Sequence, residues 1–203
     1  KYLCLNGMSC VMEMLSKLNE GRWIDANGTR LLLDHSRAEN MELFMDPLTN
    51  TYARRYFESY RSHLEGMEHV AIIDVDSFKQ VNDAYGHQTG DTVLRDIAAA
   101  IHACIRSTDT LIRYGGDEFL LLFPKMDEHI FVRKQNEIRE AVRRIVIPEY
   151  PELHLSVSIG GVSGVHPLAE AIRQADYLMY ENKEKYYTEG EHVTPPPRKW
   201  KKI

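Results

Sequence analysis

The chain has 203 residues, room for one ordinary domain with flanking pieces, and its 43% hydrophobic content can supply a real core. Its 25 Lys+Arg against 30 Asp+Glu leave a formal net charge of −5, which argues against a protein that grips nucleic acid through a broad basic face. A small polyanionic substrate stays compatible with this balance, provided local lysines or a metal meet its charge.

The first residue is Lys1 rather than Met, and the expectation is a piece cut from something longer. Cys4, Cys10 and Cys104 are odd in number and lack zinc-ligand spacing, so they read as free thiols in a reducing, cytoplasmic compartment. No apolar run approaches the roughly 18 residues of a membrane span, and no signal peptide is visible, which leaves open a membrane attachment of a longer parent. In residues 1–45, Met8, Val11, Met12, Leu15 and Leu18 recur at helical spacing. Asn27-Gly28 between Arg22–Ala26 and Thr29–Leu33 predicts a hairpin, because both turn residues tolerate positive φ. Residues 36–45 read as a short polar helix. This region resembles the end of a PAS-type sensor, which also closes with a hairpin and a helical linker, so 1–45 is expected to be the tail of an upstream module.

The next segment, 46–189, alternates between helical and strand patterns. Residues 52–64 predict a helix, and the wholly apolar run Val70-Ala71-Ile72-Ile73 predicts a central strand buried on both faces. Val93, Leu94, Ile97, Ile101, Cys104 and Ile105 share one stripe of a helix over 89–105. Runs at 110–114 and 118–123 predict strands separated by Gly115-Gly116-Asp117, glycines expected to relieve a tight connection. A charged helix over 128–146, a strand over 153–159 and a final helix over 168–185 complete the order β-α-β-β-α-β. That order predicts an α+β fold with a ferredoxin-like core: an antiparallel central sheet with flanking helices. The last stretch, 190–203, with Pro195-Pro196-Pro197 and a basic end, reads as a disordered tail.

This topology carries a chemical consequence. The first and third strands are antiparallel neighbours at the centre, so the hairpin at Gly115-Gly116 lies beside the end of the first strand. Asp74 and Asp76 are thereby expected next to Asp117 and Glu118. Carboxylates converging on one edge repel unless protons or cations are supplied. Hard oxygen ligands without His or Cys favour Mg²⁺ or Mn²⁺, ions suited to bridging phosphates.

The residues Arg113-Tyr114-Gly115-Gly116-Asp117-Glu118-Phe119 contain the GGDEF signature, and the chain resembles GGDEF-domain diguanylate cyclases. A fixed string of five residues arises by chance in a chain this long on the order of once in ten thousand cases. Asp74-Val75-Asp76-Ser77-Phe78-Lys79-Gln80-Val81-Asn82-Asp83, then Gly86-His87-Gln88-Thr89-Gly90-Asp91, look like the family's second block, and Asp46-Pro47-Leu48-Thr49 looks like its opening motif. The likeness spans roughly residues 46–187 and implies a fold related to nucleotide cyclases and polymerase palms. It implies that Asp74, Asp117 and the Val75 carbonyl bind metal, and that Glu118 assists with metal or removes the proton of the attacking hydroxyl. Asn82 and Asp91 resemble the guanine readers; a carboxylate can accept from N1–H and the exocyclic amine of guanine, a donor pair that adenine lacks. Phe78, Lys79 and Lys183 resemble the residues at the phosphates, Lys79 counted with Asp117 and Glu118 in the catalytic set, and Gly115 and Gly116 with the substrate-binding set. Arg106 and Asp109, in Arg106-Ser107-Thr108-Asp109, resemble the family's inhibitory product site, with a supporting arginine near Arg139 or Arg143.

Two departures stand out. Tyr187 occupies the place of the family's arginine after Lys183, which implies a weaker grip on the triphosphate or a substitute in Lys185. Ala53 replaces the usual Asn before Arg54. The implied activity is condensation of two GTP into cyclic di-GMP and two pyrophosphates by a metal-dependent homodimer subject to product inhibition. The alternatives are a catalytically silent receptor for GTP or cyclic di-GMP, or an enzyme making a different cyclic nucleotide on the same fold.

Overall fold

Every residue of the strand His69–Val75 is buried, as its apolar run requires of a strand covered on both faces. The computed structural model describes residues 42–189, and the compact unit holding nearly all of them begins at Met45. The helical stripe from Met8 to Leu18, the hairpin at Asn27-Gly28, residues 36–41 of the polar helix and the proline-rich tail lie outside the described residues. In chain order the elements are β1 (Tyr52–Ala53), α1 (Arg54–Leu64), β2 (His69–Val75), α2 (Phe78–Tyr85), α3 (His87–Cys104), β3 (Thr110–Arg113), β4 (Glu118–Phe123), α4 (Glu128–Arg143), β5 (Val157–Ser163) and α5 (Leu168–Glu189).

The sheet order is β1-β3-β4-β2-β5. From β3 to β5 all neighbours are antiparallel, while β1 adds a parallel edge beside β3. The expected β-α-β-β-α-β core is present, with β2 and β4 at its centre. Strand alternation divides the apolar residues between two faces. Ala71, Ile73 and Val75 of β2 pack with Val93, Leu94 and Ile97 of α3 and Phe131 and Ile138 of α4. Val70 and Ile72 pack instead with Phe57 of α1 and Leu168, Ile172 and Met179 of α5. The sheet is thus the middle of three layers.

Three features depart from the sequence reading. Strand β1 is only two residues long, too short for any periodicity to show. Helix α2 is short and mostly polar, with Val81 its buried residue. The last strand runs Val157–Ser163 rather than 153–159, straight through Gly160-Gly161, a pair that composition marks as a break. The glycines are there for contact. A Cβ on Gly160 would lie 2.1 Å from the Ala175 carbonyl oxygen and 2.1 Å from the Met179 nitrogen. Helix α5 therefore rests directly on the backbone of β5.

The signature hairpin is held from the N-terminal side. Arg113 donates to the Gly116 carbonyl from Nε (3.2 Å) and Nη2 (2.8 Å), and from Nη1 to Asp46 Oδ1 (3.1 Å). The same Asp46 oxygen accepts from the Thr49 backbone N–H (2.9 Å) and hydroxyl (2.7 Å). Burial pushes the Asp46 carboxyl upward, but the Thr49 hydrogen bonds and the Arg113 guanidinium outweigh it and hold the group below its ordinary value.

Two outcomes test this framework. Gly160→Ala should cost about 2–4 kcal/mol, because the atoms in the way are backbone and cannot swing aside; urea denaturation reads it. Asp46→Asn should cost about 1 kcal/mol near neutral pH. A depressed carboxylate stabilises above its unfolded value and loses that contribution as pH falls through the folded value. The gap between the two proteins should therefore close at acidic pH, and a constant gap across denaturation curves would remove the Asp46 charge from the account.

Candidate functional site

Asp74 lies directly opposite Glu118 in the β2–β4 ladder, and the pairing continues one step further, the Val75 N–H donating to the Asp117 carbonyl at 3.1 Å. The hairpin closes with the Tyr114 and Gly115 N–H groups both donating to the Glu118 carbonyl, at 2.8 and 3.1 Å. Asp74, Asp117 and Glu118 thus meet at one end of the central strands. Alternation along β2 turns Asp74 toward α5. On that helix Ala175, Met179, Lys183 and Tyr187 recur every four residues, a single stripe, and all are buried. The stripe begins in the core and ends in the site.

Lys183 reaches Asp74 from this stripe, Nζ to Oδ1 at 2.5 Å. Asp74 is 6% exposed and Lys183 9%. The Asp74 carboxyl is pushed up to about 7, by burial first and by the charges of Asp117 and Glu118, against the opposing pull of Lys183. Burial alone would lower the Lys183 ammonium, but Asp74 outweighs this and holds it above its ordinary value. One ammonium therefore faces several carboxylates, and the site carries surplus negative charge. Among the described residues no three His, Cys, Asp or Glu side chains form a closed metal cage. What lies here is a partial set of oxygen donors, the Asp74 carboxylate with the charges of Asp117 and Glu118 acting on it. Such a set fits a hard divalent cation that takes its remaining ligands from water and phosphate.

The Asp76 carboxylate accepts from the Ser156 hydroxyl (2.7 Å) and the Ser158 hydroxyl (2.6 Å), and Ser158 is the ladder partner of Asp74. The following residue, Ser77, has φ 55° and ψ 21° and starts α2 without a side-chain cap. Phe78 and Lys79 form the first turn of α2, with Lys79 exposed.

Asn82 lies in α2 close to Gly90 of α3, at the junction of the two helices. A Cβ on Gly90 would lie 2.0 Å from Asn82 Oδ1 and 3.3 Å from the Phe78 ring, so a larger residue there would push the Asn82 side chain out of its place, and Asp91 follows it directly. The glycines of the hairpin behave differently from expectation. Neither Gly115 nor Gly116 has positive φ, and a Cβ on Gly116 meets nothing within 4 Å. The turn geometry does not demand them; they leave open space above the hairpin.

Arg106 and Asp109 form a tight turn after α3. The Arg106 N–H donates to Asp109 Oδ2 at 2.8 Å, and the Asp109 N–H to the Arg106 carbonyl at 3.0 Å. The Arg106 side chain is exposed. Arg139 donates from Nη2 to the Ile159 carbonyl at 3.0 Å, and the exposed Arg143 pairs with Glu140. Lys185 is exposed, whereas Tyr187 is buried and accepts the Ser77 N–H at 3.3 Å. Sequence position locates Tyr187 but does not reveal that partner. Ala53 precedes α1 and provides no side-chain cap.

Among the described residues no helix is long and apolar enough to cross a membrane. The family model described as "Diguanylate cyclase, GGDEF domain" matches residues 43–188. Diguanylate cyclase DosC of Escherichia coli (strain K12) is 36% identical over 150 residues, covering 68% of this chain and 33% of that protein. Diguanylate cyclase DgcM of the same strain is 33% identical over 147 residues, covering 68% and 35%. The chain thus spans about a third of the length of these relatives. Among solved structures, diguanylate cyclase SiaD of Pseudomonas aeruginosa, in complex with its activator SiaC, superposes with a TM-score of 0.70 at 28% identity, covering 87% of this chain and 70% of that one. The GGDEF domain of DgcB from Caulobacter crescentus, in complex with c-di-GMP, superposes with a TM-score of 0.61 at 27% identity, covering 75% and 92%. With the signature hairpin, the carboxylates beside it and a family match across most of its length, this chain belongs to the GGDEF diguanylate cyclase family.

Proposed function

We propose that this domain condenses GTP into cyclic di-GMP, each protomer of a homodimer holding one GTP and thus half of the reaction. The observation that carries the reading is the meeting of Asp74, Asp117 and Glu118 with Lys183 at one sheet end, beside the uncapped start of α2. Asp74, Asp117 and the Val75 carbonyl would hold Mg²⁺ (or Mn²⁺), which would supply neutralisation of phosphate charge. Lys183 and Lys79 face the triphosphate with the N–H groups of the first turn of α2, which have no acceptor within the helix. Asn82 and Asp91 read guanine through its N1–H and amine. The room above Gly116 receives the nucleotide.

Glu118 takes the proton from the 3′-hydroxyl of one GTP as that oxygen attacks the α-phosphorus of the other, and pyrophosphate leaves; the second bond forms in the same way with roles exchanged. Positioning supplies most of the rate gain, since no covalent protein intermediate is needed. The product returns to the exposed Arg106 guanidinium and the Asp109 carboxylate, which recognise phosphate and guanine edge respectively. This inhibition takes place in the bacterial cytoplasm, where the substrate is found.

Purified protein incubated with GTP and Mg²⁺ should yield cyclic di-GMP on chromatography, with an initial rate that rises as the square of protein concentration when dimers are scarce. A dimeric preparation that binds nucleotide and makes no product would instead support the silent receptor, and ATP offered beside GTP tests the choice of base. Asp117→Ala should lower turnover by about 100-fold or more while the fold persists. Gly116→Ala should leave stability within about 0.5 kcal/mol yet reduce kcat/KM about tenfold, because the added methyl enters space the protein itself does not use; equal activity would move the nucleotide away from the hairpin.

A further inference from the structure

We propose that Tyr187 is a positioning residue for the phosphate-facing loop, its hydroxyl holding Ser77 in the left-handed backbone conformation from which α2 starts. The inference rests on the reading of that loop as the triphosphate site. Ser77 carries a Cβ at φ 55° and ψ 21°, a region that L-residues other than Asn and Asp seldom adopt and that persists only when surroundings enforce it. Its own side chain does not cap the helix. The enforcement comes from three sides. Before it, Asp76 is fixed by the Ser156 and Ser158 hydroxyls and by its own N–H to the Ser156 carbonyl at 3.1 Å. After it, the Val81 N–H closes on the Ser77 carbonyl at 3.0 Å. The Ser77 N–H itself goes to the Tyr187 hydroxyl at 3.3 Å.

Tyr187 is suited to the task. It is 6% exposed, continues the buried stripe of α5 through Lys183, and its ring meets that of Tyr186 edge-on at 5.3 Å. The left-handed Ser77 turns the chain into the right-handed Phe78, which aims the N–H groups of the first turn of α2, without acceptors inside the helix, toward the loop. A backbone N–H needs an acceptor, and a phenolic oxygen is one; a guanidinium has donors only. Tyr187 therefore acts through Ser77, not as an enfeebled cation at the phosphates, and the departure from the family's arginine becomes a different way of preparing the same loop.

Calorimetry decides this, with Mg²⁺ and a GTP analogue whose α–β bridge cannot be cleaved, on the wild type, Tyr187→Phe, and Tyr187→Phe combined with Ser77→Gly. Tyr187→Phe keeps the ring and loses the acceptor, and should weaken binding about five- to tenfold. Glycine adopts positive φ without penalty, so Ser77→Gly in that background should restore affinity to within about twofold. Unchanged affinity in Tyr187→Phe, or a loss that Ser77→Gly fails to repair, overturns the proposal. The two readings separate by assaying GTP cyclisation on the same proteins. A wild type that makes no product while the affinity pattern holds removes the cyclase and keeps the positioning role. Product formation without the affinity pattern does the reverse, and a wild type that takes up no analogue overturns both.

Discussion

The pairing of β2 with β4 is the constraint on which everything else rests. It sets Asp74 across from Glu118 and ties Val75 to Asp117, so backbone hydrogen bonds force together groups that would otherwise repel. Apolar packing on both faces of the sheet supplies the free energy that keeps them there. Asp74 sits at the buried end of its strand while Asp117 and Glu118 are half-buried, so water screens the cluster less than it would an exposed one. Lys183 compensates only in part. The fold itself leaves the site with surplus negative charge.

Beside this cluster the molecule makes one close approach that only glycine permits. Gly160 lets α5 lie on β5, which brings the Ala175-Met179-Lys183-Tyr187 stripe to the right height, and a methyl there would press on helix backbone and shift α5 with that stripe. At Gly90 a methyl would meet the ends of the Asn82 and Phe78 side chains instead, and the cost would fall on their positions. Stability and readiness for ligand are here the same contacts seen from two sides.

The supports differ at the two ends of the hairpin's surroundings. On one side, Asp46 and Thr49 secure Arg113, which holds the Gly116 carbonyl. On the other, Tyr187 secures Ser77. The first is an ion pair reinforced by hydrogen bonds at a half-buried position, the second a neutral bond at a buried one. Both fix backbone.

What the sequence by itself determined is whatever depends on local periodicity and on unusual strings. The apolar run of β2, the stripe of α3, the alternation around the hairpin and the GGDEF signature led to the α+β core, its strand order and the convergence of Asp74 with Asp117. Strand β1 was too short to leave a pattern, and β5 was misplaced because Gly160-Gly161 looks like a break until the helix resting on it is known. Only the tertiary structure decided the partners of polar side chains. Asp76 shares the period of Asp74 yet belongs to two serines of a remote segment, and Tyr187 occupies a recognisable motif position yet bonds to a residue 110 positions away. The reason is one of range: alternation and helical spacing are properties of neighbours in the chain, whereas a hydrogen bond is settled within about 3 Å by whatever the fold brings there.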